Sequence, residues 1–246
     1  MLVGLGRFGL FSARVLWRAA TPAWELREIA RHTFLVTARC LLPVIAVVFP
    51  LGMVMSLQGL AIFEMFGAER LLSSLVSVAV FRELSPVLAS LLVVAQGGSA
   101  FAAELGAMRI KEEIDATEVM GIDPLRVHVV PRVLAALLAT PMLNLVGSLA
   151  GIAGGGLTAV VLKGMPAGTY WSNVWELTAP ADLAGSLAKT IVFGLIIGLV
   201  ATYKGFHAKG GAQGVGTAVN DTVVVGATAF IVVNYFLTSA LFGVTG

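Results

Sequence analysis

Five stretches of this chain are apolar, almost free of charge and long enough to cross a lipid bilayer, and a chain built that way has few folds open to it. They are residues 40–63, 84–103, 133–162, 183–203 and 222–244. A hydrocarbon core about 30 Å thick takes about 20 helical residues to cross. A backbone inside it must satisfy its own N–H and C=O groups, so each stretch reads as a helix. The fold class expected is an all-α membrane protein with five transmembrane helices. Composition agrees, with 58% hydrophobic and 12% charged residues, against about 45–50% and about 25% in soluble domains. Pro43 and Pro50 predict a bent or broken first helix. Apolar sequence resumes at Leu71 but is interrupted by Arg82-Glu83, so residues 71–81 read as a short surface helix and the second crossing begins at Leu84. Lys189 is the one charge inside the fourth stretch. Gly147, Gly151 and Gly155 in the third, and Gly194 and Gly198 in the fourth, are spaced for close helix approach within a bundle.

Residues 1–39 form a separate N-terminal segment with six arginines and no apolar run long enough to span. The arginines interrupt its apolar residues, which excludes a signal peptide. On a helical wheel Arg7, Arg14 and Arg18 nearly coincide, with Leu5, Phe8, Val15, Leu16 and Ala19 across from them. That pattern predicts an amphipathic interfacial helix, basic side toward anionic lipid, ahead of a membrane domain over residues 40–246. With five crossings, an internal N-terminus places twelve of the sixteen Lys and Arg residues on the cytoplasmic side and leaves Arg70, Arg82, Lys163 and Lys189 outside. The N-terminus is therefore expected in the cytoplasm and the C-terminus on the far side.

Between the second and third stretches lies a polar island, holding six of the fourteen acidic residues within Glu104–Asp123. Glu112 and Glu113 suit a helix first turn, and Gly121 and Pro124 a stop, so residues 110–121 read as a helix of about three turns. Ile110, Ile114 and Thr117 share one face, and Lys111, Glu112, Asp115, Glu118 and Val119 the other. Such a helix, on the cytoplasmic side with an acidic outer face, is suited to docking a soluble protein.

Other chemistry finds little support. A net charge of +2 gives no reason to expect nucleic acid as a partner. One cysteine, Cys40, and three scattered histidines predict no metal site. Gly4–Gly9 matches G-x-G-x-x-G, but no strand precedes it and no βαβ pattern follows. The Gly-rich stretch 209–216 lacks the G-K-[ST] ending of a phosphate-binding loop and reads as a flexible turn, so no ATP hydrolysis is expected of this chain. An intramembrane enzyme needs ionisable groups converging at membrane depth, and here only Lys189 and the Arg82-Glu83 pair offer themselves, without a His or Asp partner in their layer.

Three segments carry a family resemblance: Arg82-Glu-Leu-Ser-Pro-Val-Leu, then Gly97 through Pro124 with the core E-x-I-D-A-x-x-V-M-G-x-D-P, then Val129-Val-Pro-Arg-Val-Leu. With Lys204-Gly-Phe and Gly214-Val-Gly-Thr-Ala-Val, these resemble the MlaE (YrbE) permeases of MCE-associated ABC lipid transporters over about residues 80 to 240. The resemblance implies a non-catalytic homodimeric permease of the bacterial inner membrane that carries phospholipid. It also implies a cytoplasmic ABC ATPase subunit binding ATP and Mg, a periplasmic MCE-domain protein, and in some systems a STAS-domain protein. Residues 110–121 would then be the coupling helix, with Glu112, Glu113, Asp115, Glu118, Val119, Met120 and Gly121 meeting the ATPase. Expected lipid contacts are Arg82 and Lys189 for an anionic headgroup, Met53 and Leu57 for acyl chains, and Gln96, where several relatives carry a basic residue. The competing reading is a nutrient-importing ABC permease, whose E-A-A-x-x-x-G loop Asp115–Gly121 imitates in spacing.

Overall fold

The computed structural model describes residues 2–21, 25–68 and 71–243, with the side chains of Leu2, Val3, Leu5 and Leu177 outside that description. The chain runs through α1 (Leu2–Ala20), α2 (Leu26–Phe66), α3 (Leu72–Ile110), α4 (Glu113–Val119), α5 (Leu125–Leu162), α6 (Ala167–Leu177), α7 (Pro180–Phe206) and α8 (Gly211–Phe242). No strand occurs among the described residues. Helices α2, α3, α5, α7 and α8 are each long and apolar enough to cross a membrane, and the chain is a multi-pass membrane protein.

Helix boundaries depart from the apolar stretches in instructive ways. The lack of charge marks where hydrocarbon can be crossed, whereas a helix continues as long as its backbone bonds do, so α2 begins at Leu26, well before residue 40. It passes through Pro43 and Pro50 without breaking. The surface helix expected over 71–81 does not exist as a separate element, because α3 continues through Arg82-Glu83 in a π-helical turn, Val80–Leu84. A second such turn spans Val93–Gly98 and contains Gln96. The flexible turn expected over 209–216 is mostly the start of α8, and the reversal is confined to Gly210 and Gly211, with φ of +89° and +69°. Arg70, expected on the outer side, and Leu5, expected on the apolar side of α1, lie outside the described residues and side chains.

The chain contacts form two compact units. The first comprises residues 1–40, 90–140 and 191–233, and the second 41–89, 141–190 and 234–246. In the first unit α1 buries Phe11 and Val15 against Val129, Val130, Val133 and Leu199, and the Phe8 and Phe11 rings meet Tyr203 edge-on at 5.2 and 5.3 Å. Leu10 and Trp17 remain exposed. Arg18, expected to face lipid, is ion-paired with Asp123 instead. Gly194 and Gly198 lie so close to α5 that a Cβ at either would meet backbone of Ala136 or Val133.

In the second unit a core of Leu60, Leu72, Val76, Val80, Ile152, Ala159, Tyr170 and Val174 joins α2, α3, α5 and α6. The buried Tyr170 hydroxyl donates to the Ile152 carbonyl at 3.0 Å, and burial raises its pKa well above the ordinary phenol range. The glycine spacing of α5 serves packing inside this unit. A Cβ on Gly147 would meet Ser85 and Val44, one on Gly151 would meet Val80 and Val48, and one on Gly155 would meet Val76 and Tyr170. Across the same seam a Cβ on Gly52 would run into the Gly151 carbonyl, which is backbone and cannot swing aside. Gly52→Val is therefore expected to lower stability by about 1–3 kcal/mol or more through forced separation of α2 and α5. A thermal melt of the purified protein checks this, with Gly168→Ala as a near-neutral control, since nothing lies within 4 Å of its Cβ position.

Candidate functional site: an anchored short helix and a buried ion network

Helix α4 is held on one side and open on the other. The chain leaves α3 at Ile110 and reverses through Glu112, whose φ of +60° makes it the one non-glycine residue in the left-handed region among the described residues. The helix is two turns long, shorter than the expected three, because α3 claims Ile110 and the reversal uses Lys111 and Glu112. At its end the Gly121 N–H bonds Glu118 O at 2.9 Å and the Ile122 N–H bonds Thr117 O at 3.2 Å, with Gly121 at φ +76°. This is a Schellman termination, which a glycine makes without Cβ strain.

Ile114 and Thr117 are buried, whereas Glu112, Glu113, Asp115, Glu118, Val119, Met120 and Gly121 are exposed, Val119 to 88%. The Thr117 hydroxyl donates its single hydrogen to Glu113 O at 2.7 Å, so at 3.2 Å His128 Nε2 is the donor to Thr117 Oγ1. Arg109 pairs with Asp115 at 2.5 Å, tying α4 to the end of α3. Arg132, almost fully buried, binds Glu104 at 3.0 Å and the His128 carbonyl at 2.6 Å. Glu118 and Asp123 share a cavity of about 450 Å³ with Arg7, Arg14 and Arg18. The acidic face is thus built on a floor in which Arg18, Arg109 and Arg132 are already ion-paired, and Val119 and Met120 are left as apolar side chains on it.

In the second unit Lys189 is fully buried and its ammonium has three acceptors: the Arg82 carbonyl at 2.6 Å, Glu83 Oε1 at 3.0 Å and Thr238 Oγ1 at 2.9 Å. The first of these follows from sequence. Pro86 has no N–H to offer the carbonyl four residues earlier, and Lys189 supplies a donor to that Arg82 carbonyl. Glu83 also accepts from Asn234 Nδ2 at 3.0 Å and Thr238 Oγ1 at 2.8 Å. Arg82 pairs with Asp182 at 2.7 Å and lies 4.6 Å from the Phe242 ring centroid. Asp182 in turn accepts the Ala179 N–H at 3.2 Å, capping α7.

Lys189 and Arg82, expected at an anionic headgroup, are therefore committed to protein partners. All three ammonium hydrogens of Lys189 have protein acceptors. The expected lack of an Asp partner in the layer of Arg82-Glu83 is corrected, since Asp182, one residue before the fourth apolar stretch, pairs with Arg82. Asn234 and Thr238, one helical turn apart inside the fifth stretch, complete the network. A lone base in a span calls for buried polar partners, and an amide and a hydroxyl at i, i+4 were the available signal. Of the remaining lipid candidates, Leu57 is exposed on α2, Met53 is half-buried on the same helix, and Gln96 is half-buried in its π-helical turn of α3. Met53 and Leu57 belong to the second unit and Gln96 to the first.

Residues 29–240 match the family model described as Permease MlaE. A probable ABC transporter permease protein of Rickettsia prowazekii is 33% identical over 240 residues, covering 98% of this chain and 93% of that protein. The intermembrane phospholipid transport system permease protein MlaE of Haemophilus influenzae is 32% identical over 194 residues, 78% of this chain and 74% of the relative. The chloroplastic protein TRIGALACTOSYLDIACYLGLYCEROL 1 of Arabidopsis thaliana is 34% identical over 191 residues, 78% of this chain and 55% of its own length.

Proposed function

This chain belongs to the MlaE permease family, and from that membership we propose that it is the membrane-spanning subunit of an ABC transporter that moves phospholipid or a related lipid. The observation that carries the proposal is α4: a short, capped helix with Ile114 and Thr117 buried, Arg109–Asp115 fastening it, and Val119 and Met120 exposed among carboxylates. A rigid element fixed at one face and open at the other is what transmits motion from a soluble ATPase to a helical bundle. Glu112, Glu113, Asp115, Glu118, Val119, Met120 and Gly121 are the proposed contact surface, and ATP and Mg are bound by that partner. The lipid assignment is supported by the Haemophilus relative, an intermembrane phospholipid transport permease by name. Met53 and Leu57 on α2 are proposed lipid contacts in the second unit, and Gln96 on α3 is a separate proposed contact in the first.

The same reading supplies the assembly: a homodimer of this chain in the bacterial inner membrane, N-terminus cytoplasmic and C-terminus periplasmic, with an MCE-domain protein on the periplasmic side and, in some systems, a STAS-domain protein on the ATPase. ATP turnover tests it. The purified chain alone is expected to hydrolyse no ATP. The complex with its ATPase subunit is expected to hydrolyse ATP, with activity rising on addition of phospholipid and unaffected by sugars or amino acids. Turnover by the isolated chain, or stimulation by a soluble nutrient alone, contradicts the proposal.

A further inference from the structure

The second unit contains an almost wholly apolar cavity of about 600 Å³, bounded by Phe81 of α3, Ile152 of α5, Trp171 and Trp175 of α6, Thr178 and Leu183. That volume falls in the range of small-molecule sites, which are mostly apolar with a few polar groups that orient the occupant. Here the polar group is Thr178. Its Oγ1 is buried and has no hydrogen-bond partner among the described residues. The backbone presents it in extended conformation just after α6, where the Thr178 N–H still bonds Val174 O at 3.2 Å. The following turn is fixed by Asp182, which caps Ala179 and pairs with Arg82. A buried hydroxyl without an acceptor is unfavourable, so the geometry calls for a ligand with an apolar body and one acceptor oxygen.

Its mouth identifies the ligand. Trp171 is half exposed and stacks edge-on against Tyr170 at 5.4 Å, and Trp175, one turn on, is 74% exposed. Exposed tryptophans beside long apolar helices belong at the membrane–water boundary, where ester linkages of bilayer lipids lie. We infer that this groove holds one acyl chain of a diacyl phospholipid, its ester carbonyl accepting the Thr178 hydroxyl. The site is distinct from the α2 and α3 contacts proposed above for transported lipid and does not depend on the transport reading.

The test uses the full chain in nanodiscs doped with a phospholipid carrying a photoreactive diazirine on its acyl chain, followed by peptide mapping. Labelling is expected to concentrate on residues 149–153 and 171–183, above that on the exposed α8 surface at Ile231, Val232, Tyr235 and Phe236. Ala153 and Leu149 also line the cavity; Ala153→Phe, which fills it, is expected to abolish the excess, and Leu149→Trp serves if that variant does not fold. Thr178→Val, of nearly equal shape, is expected to weaken labelling by an ester-linked lipid about three-fold, the loss of one neutral hydrogen bond, and to leave an ether-linked analogue unchanged. Labelling no stronger than on α8, no response to either filling variant, or equal effects of Thr178→Val on ester and ether lipids overturns the inference. So does complete loss of labelling on assembly of the transporter, which would make the groove a seat for a partner's transmembrane helix. ATP-dependent transport measured on the same variants reports on the functional reading separately.

Discussion

Lys189→Met is expected to lower stability by about 1–3 kcal/mol, the cost of leaving buried hydrogen-bonding partners unsatisfied, since the Lys189 ammonium is fully buried while the Glu83 side chain it pairs with is 44% exposed. The loss has two parts. The Glu83 carboxylate keeps Asn234 and Thr238 as donors but loses its countercharge, and the Arg82 carbonyl, denied a donor by Pro86, loses the one supplied from α7. Lys189→Met combined with Glu83→Gln is expected to recover part of the loss, because a neutral amide needs no cation. The measurement is a double-mutant cycle of thermal melts in detergent. A Lys189→Met protein that melts normally but has lost co-purifying lipid would assign this ammonium to a lipid headgroup and not to its three protein acceptors.

Reversal of Glu112 and Asp115 to Lys together is expected to separate the chain from its ATPase while leaving its fold intact. Both residues are exposed, so the melt should barely move, although Asp115→Lys also sets a second cation beside Arg109. Truncating one member of a desolvated interfacial charge pair costs about 2–5 kcal/mol, and reversal adds repulsion, so retention of the ATPase should fall by about 30-fold or more. Val119→Asp provides an independent check, because it places a charge where the apolar knob would enter the partner. Unchanged retention in both variants, with normal melts, would make the outer face of α4 a solvated surface.

The five long apolar helices, an N-terminal helix ahead of them and the Gly-terminated helix in the acidic island could be read from residue pattern alone, because hydrophobic run length and a Gly stop are local signals. Bonds between sequence-distant residues could not. Arg82-Glu83 looked like an interruption since charge is rare in hydrocarbon, yet the π-helical turn keeps the helix continuous while Lys189, Asp182, Asn234 and Thr238 satisfy both charges from α7 and α8. A helical wheel shows only which residues share a side, so it turns Arg18 toward lipid; that its side meets Asp123 depends on how α1 packs against α5 and α7. The acidic face of α4 was readable, but its length was not, since the left-handed Glu112 that separates it from α3 leaves no composition signal.

The most direct measurement of the central claim is lipid movement in a reconstituted transporter. The chain, its ATPase subunit and the MCE-domain protein are placed in proteoliposomes, and transfer of a fluorescent phospholipid between the membrane and the MCE assembly is followed with ATP, with a non-hydrolysable analogue, and with the Glu112→Lys/Asp115→Lys chain. Transfer is expected with ATP and the unaltered chain alone. Equal transfer without hydrolysis, or ATP-driven accumulation of a sugar or amino acid in place of lipid, would contradict a lipid permease driven through α4.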